Sequence, residues 1–181
     1  METKILHFSD QIDKDFINNN SIYKKDFEYL CNISDINKIF DNFKDSIISI
    51  VILDNHIVSM AAGWEDKDNL SITDVFTSTL HRGKGLCKSV VGALLKYWWD
   101  KLQFKNNFSI KLGVKNDNIA AIKCYKHFGF TEIPNSVSKT TDSLGKNIVR
   151  MGMILTKESY AETYLLPLTE KKLQERLKKK L

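Results

Sequence analysis

The sequence predicts a mixed α/β domain of the α+β type: a twisted, largely antiparallel sheet of about six to seven strands flanked by helices. Three observations predict it. An antiparallel meander occupies residues 46–79. The apolar period switches from strand to helix at Leu86. A strand, a helix and further strands then follow.

Taken in order, Thr3 to Phe8 (TKILHF) reads as a first strand. Between Gln11 and Phe43 the chain is polar, with apolar residues at helical intervals. Ile12 and Phe16 suggest one short helix. Ser34 is a candidate cap for another, carrying Ile36, Ile39, Phe40 and Phe43. Ser46 to Trp64 holds two β-branched apolar runs about Asp54-Asn55, a hairpin signal. Asn69 to Thr79 adds the third strand. From Leu86, apolar residues recur at Val90, Ala93, Leu94, Tyr97 and Trp98, one face of a helix. Phe108 to Val114 alternates as a strand. A helix begins near Asn118 and stops at Gly129, and Lys146 to Thr156 is a last strong strand. The stretch before it, TEIPNSVSK, can pair with it, but Pro134 makes it irregular or an edge. A doubly wound nucleotide-binding sheet does not fit, because the glycine turn follows a meander rather than the first strand.

Composition narrows the function classes. No apolar run approaches the roughly 18 residues a membrane helix needs, and METKILHFSDQIDKDF lacks a signal-peptide core. Three widely spaced cysteines (Cys31, Cys87, Cys124) suggest neither a disulfide framework nor a zinc site. The expected setting is a reducing cytoplasm, with no metal and no membrane. The net charge is +5, of which the last 14 residues carry +4. The body is near neutral, so nucleic acid is not an expected partner. One domain is expected over 1–166, followed by a basic helical tail over 167–181. The tail could dock on the body, join a second copy as a homodimer, stay solvated, or touch RNA or anionic lipid.

The chemistry concentrates at Leu80 to Leu95, LHRGKGLCKSVVGALL. Arg82, Gly83, Lys84 and Gly85 stand between a strand and a long helix. The bland reading is a tight turn. The sharper one is an anion site, since backbone N–H groups collect at a helix N-terminus and glycine lets an anion approach them. The loop has neither the Walker spacing nor GxGxxG. A diphosphate is its natural guest. Asp74 is an acid on an otherwise apolar strand, so it is either a functional carboxylate or one at a solvent-facing edge. His81 either serves as a base or flanks the loop. Glu65 and Asp66 belong to a turn.

RGKGLC resembles the R/Q-x-x-G-x-G/A motif of the GNAT family of N-acetyltransferases, with Arg82 and Gly85 matching. Cys87 replaces the usual Gly or Ala, and Thr77 and Thr79 stand where Val and Pro are common. VKNDNIAAIKCYKHFGF is similar to a second family signature through Asn118, Ala121, Tyr125, Gly129 and Phe130. The resemblance implies direct transfer of an acetyl group from acetyl-CoA to a primary amine of a small molecule or protein. It implies that Gly83, Lys84, Gly85, Leu86, Cys87 and Lys88 hold the diphosphate beside Arg82, and that backbone at Phe76 and Thr77 holds the pantetheine arm. Asn118 would contact the cofactor or cap its helix. Tyr125 would be the acid for the departing thiolate, or merely pack, and Asp74 the base or amine anchor. Rival readings are a non-catalytic acyl-CoA-binding module and an acetyltransferase of aminoacyl-tRNA.

Overall fold

A computed structural model describes residues 1–66, 69–104, 107–141 and 147–170. The chain forms two compact units, Met1–Phe104 and Lys105–Leu181.

In the first unit, β1 (Glu2–His7) leads into α1 (Gln11–Asn18), α2 (Ser21–Cys31) and α3 (Ile36–Asn42). The meander β2 (Ser46–Leu53), β3 (His56–Asp66) and β4 (Asn69–Thr77) follows, then a short 3-10 turn (Thr79–His81) and α4 (Leu86–Leu102). β1 to β4 pair antiparallel in chain order. The β2–β3 turn is built as the dipeptide predicts, with φ of 50° at Asp54 and 60° at Asn55, the left-handed region that a two-residue hairpin turn needs. α2 grips this turn. The Ile57 N–H donates to Asp26 at 2.8 Å, and the Tyr23 hydroxyl donates to Asn55 at 3.2 Å.

Helices cover both faces of these strands. Leu6, Phe8, Ile48, Ile50, Met60 and Ala62 pack with α1–α3 through Ile17, Phe27, Leu30, Ile39 and Phe40. The opposite face receives α4. There Gly63 makes room for the fully buried Trp98: a Cβ at Gly63 would lie 2.6 Å from the indole and 2.8 Å from Leu94. Trp98 is thus core, as its place on the apolar stripe implies. The stripe itself is wider than predicted, since Val91, Leu95 and Leu102 are buried and Ala93 and Tyr97 only partly so.

Two N-terminal expectations are corrected. The third helix is capped by Asp35, whose carboxylate accepts from the Asn37 N–H at 3.0 Å, not by Ser34. Ile12 is 76% exposed, and Ile17 is the buried anchor of α1. A helix the sequence reading did not resolve, α2, lies between them. Asn20 caps it, and Tyr23, Phe27 and Leu30 form its buried face.

In the second unit, β5 (Ser109–Lys115) precedes α5 (Ile119–Lys126), β6 (Thr131–Glu132), β7 (Ser138–Thr141) and β8 (Asn147–Thr156). β8 pairs antiparallel with β5, β6 and β7. The Pro134 expectation holds: Ile133 to Val137 interrupts β6 and β7, with Asn135 at φ 57°. The Ser136 hydroxyl closes the arc by accepting from the Gly152 N–H at 2.9 Å and donating to the Ile133 carbonyl. Splitting that segment in two brings the strands to eight among the described residues. Gly129 ends α5 at φ 96°, and the Ser159 carbonyl would lie 2.8 Å from a Cβ there. α6 (Lys157–Tyr160) continues as a wider helical stretch (Ala161–Leu165) and as helix to residue 170. Most of the basic tail lies outside the described residues.

Candidate active site

In the first unit the site begins on β4. Ala62 pairs with Asp74 and Gly63 with Ile72, so Thr73 is left as an extra residue in a β-bulge. The bulge inverts the side-chain alternation. Ile72 lies opposite Gly63 on the α4 side. Asp74 and Phe76 lie opposite Ala62 and Met60 on the side of α1–α3. Asp74 is therefore re-aimed towards the end of α2, half-buried, with no hydrogen-bond partner for its carboxylate among the described residues. Its nearest chemical witness is Cys31, whose thiol is pushed up to about 12 by burial and then by the Asp74 charge. The Cys31 thiol also contacts the Met60 sulfur at 3.6 Å, and the Tyr29 and Thr79 hydroxyls are 3.1 Å apart.

β4 ends in a turn. The Ser59 hydroxyl donates to the Phe76 carbonyl at 2.7 Å, and Arg82 Nε donates to the Thr77 carbonyl at 3.4 Å. The Arg82 side chain thus folds back on the strand end. His81 is half-buried, with Nδ1 enclosed and unpartnered among the described residues. Glu65 and Asp66 end strand β3 rather than forming a turn, and both Glu65 carboxylate oxygens accept from Lys101 at 2.9 Å.

The loop follows. Gly83 and Gly85 both sit at φ 77°, a conformation L-residues rarely adopt, and each faces open space where a Cβ would stand. Gly85 is the N-cap residue of α4 and offers no capping side chain. By contrast Asp10, Asn20, Asp35, Asn118 and Thr156 cap α1, α2, α3, α5 and α6 with side-chain oxygens. The Gly85 carbonyl closes the first turn by accepting from Lys88 N–H at 2.9 Å. Among the described residues, no protein group accepts from the N–H groups of Gly83, Lys84, Gly85 or Leu86. Lys84 and Lys88 are exposed and Leu86 is buried beneath them. An uncapped N-terminus with open left-handed glycines and two cations fits an anionic diphosphate. The half-buried Cys87 is disulfide-bonded, and so is Cys124 of α5, whereas Cys31 is free. This corrects the expectation of no disulfide: spacing along the chain does not determine which thiols find partners in the fold.

In the second unit, Asn118 caps α5 by accepting from the Ala121 N–H at 3.2 Å. Tyr125 is 6% exposed, its ring 5.9 Å from Phe130. Burial pushes its hydroxyl up to about 12, and no group among the described residues bonds that hydroxyl. Features of the candidate site that the sequence does not show are the Thr73 bulge and the α2 end beside Asp74. The Asn20 cap and the Tyr23–Phe27–Leu30 spacing are the signals that could have located α2.

Solved structures sharing this fold include a ribosomal-protein-alanine N-acetyltransferase of Brucella melitensis, at 14% identity over 86% of this chain and 99% of that one, with a TM-score of 0.61. A mutant spermidine/spermine N-acetyltransferase of Vibrio cholerae matches at 16% identity over 90% and 98%, with a TM-score of 0.62. A probable acetyltransferase of Staphylococcus epidermidis gives 13% over 86% and 98%, and 0.59. At these identities the likeness defines a fold, that of the GNAT acetyltransferases. No curated protein matches the sequence significantly. The model of the Acetyltransferase (GNAT) family matches residues 16–130, well over half of the chain, and the chain belongs to that family.

Proposed function

We propose that the protein is an N-acetyltransferase that uses acetyl-CoA and transfers its acetyl group directly to a primary amine. The observation that carries this is the N-terminus of α4, open at Gly83 and Gly85 and uncapped by any side chain. The N–H groups of Gly83 to Leu86 donate to the diphosphate, with Cys87 and Lys88 on the first turn and Arg82 and Lys84 adding charge. Backbone at Phe76 and Thr77 lines the pantetheine arm. Acetyl-CoA supplies the activated thioester.

Asp74 anchors the acceptor ammonium and takes its proton, which a free alkylamine near pH 7 must lose to attack, having a pKa of about 10.4. Tyr125 donates to the departing thiolate. Asn118 serves chiefly as a cap. Amine acceptors named for the structural neighbours, spermidine and a ribosomal-protein alanine, suit the same chemistry.

One observation favours a second reading, a non-catalytic acyl-CoA-binding module. At about 12, the Tyr125 hydroxyl lies roughly three units above an ordinary thiol, so full proton transfer runs uphill and a hydrogen bond is its natural contribution. Thiol release from acetyl-CoA against a panel of primary amines separates the two. Amine-dependent release that falls about a hundredfold in Tyr125→Phe supports the enzyme with Tyr125 as donor. CoA binding without turnover on any amine supports the module.

A further inference from the structure

A second polar site lies on the helices of the first unit, on elements the proposed reaction does not use. A cavity of ≈ 230 Å³ is lined by Gln11, Lys14 and Asn18 of α1 and by Asn37, Phe40 and Asp41 of α3. The spacings, three and seven residues along α1 and three and four along α3, put each set on one helix face. Phe40 is 5% exposed and is held edge-on by Phe8, with ring centroids 4.9 Å apart. The Gln11 amide donates to Asp15 at 2.8 Å.

The other polar side chains are uncommitted. Among the described residues, those of Lys14, Asn18, Asn37 and Asp41 make no hydrogen bond or ion pair. Gln11, Asn18, Asn37 and Asp41 are exposed and Lys14 is half-buried, so a cation and an anion line one solvent-open space without meeting. An unjoined cation and anion facing one cavity are complemented by a guest that carries both signs. The volume is below the roughly 300 Å³ at which drug-sized pockets begin, so a small guest suits it.

We propose that this cavity binds a small zwitterion of the free α-amino acid class. Its carboxylate meets Lys14 and its ammonium meets Asp41. The Asn18 and Asn37 amides satisfy the remaining donors and acceptors, and aliphatic carbons lie on Phe40. A peptide terminus carries only one of the two charges and is excluded. The inference is independent of the acetyl-transfer reading.

Calorimetric titration of the full chain with glycine, L-alanine and L-glutamine tests it, with acetate and methylamine as single-charge controls. The expected result is saturable binding of at least one amino acid and at least tenfold weaker binding of both controls. Lys14→Met and Asp41→Asn should each weaken amino-acid binding at least tenfold while leaving CoA affinity unchanged. The exchanged pair, Lys14→Asp with Asp41→Lys, should recover at least part of the loss. No saturable binding of any of the three amino acids overturns the proposal. So does equal binding of a control, or undiminished binding by both single variants.

Discussion

The N-termini of α4 and α5 begin alike in sequence, each with a small or polar residue after a strand, but are closed differently. α5 is satisfied from within by Asn118, at 3.2 Å from the Ala121 N–H. α4 begins at Gly85, which has no side chain and so provides no capping oxygen to the free N–H groups of its first turn. A cap is worth about 1 kcal/mol, and every other α-helix among the described residues has one from a side chain. Forgoing it at α4 leaves the N–H groups of Gly83 to Leu86 without a protein acceptor among the described residues. One helix start is finished by a side chain of the chain itself, and the other is left uncapped.

The largest expected effect comes from removing the open start. Gly85→Val forces a branched side chain into φ 77° and into the open space where the proposed diphosphate would approach. Charge-assisted hydrogen bonds worth about 1.5–3 kcal/mol are lost, a roughly 10- to 100-fold rise in the acetyl-CoA KM in steady-state assays. Near-wild-type KM would remove the distinction between the two helix starts.

Next is the pH dependence of stability, which reads the interior of α5 rather than its start. Tyr125 titrates near 10 when unfolded and about 12 when folded. Above pH 10 the unfolded chain releases the proton first, so the stability is complete below about 10 and is lost as pH rises towards 12. The loss is roughly 2–3 kcal/mol. Cys31 adds a loss of the same sign from about 9 upwards. Denaturant midpoints measured from pH 8 to 12 should fall, and Tyr125→Phe should flatten the part above 10.

A smaller effect is expected from opening the closed helix. Asn118→Ala should cost about 1 kcal/mol in urea unfolding and leave the acetyl-CoA KM within about twofold. A large KM change would make Asn118 a cofactor contact in its own right. The smallest effect is on stability in Gly85→Asn. Asparagine tolerates the left-handed region and can cap, so a gain of a few tenths of a kcal/mol is expected.

Local chemistry explains what the sequence revealed. Asp54-Asn55 announced its turn because both residues accept positive φ. The α4 stripe is legible because Leu86, Val90, Leu94 and Trp98 recur every fourth residue along the 17-residue helix. The Gly83 and Gly85 conformations follow from glycine's freedom at positive φ. Asp74 stands out as an acid among apolar neighbours, but the sequence does not show its aim, because the Thr73 bulge depends on cross-strand register with β3. α2 was hidden by a Lys-, Asn- and Asp-rich exterior that diluted its three buried residues. The disulfide state of Cys87 and Cys124 depends on folding, not spacing.

The open start of α4 is tested most directly by comparing CoA with pantetheine, which lacks the diphosphate, on wild-type protein and Gly85→Asn. If the uncapped N–H groups hold the diphosphate, Gly85→Asn weakens CoA about tenfold or more and leaves pantetheine affinity unchanged. Equal effects on the two ligands, or none on CoA, would contradict it.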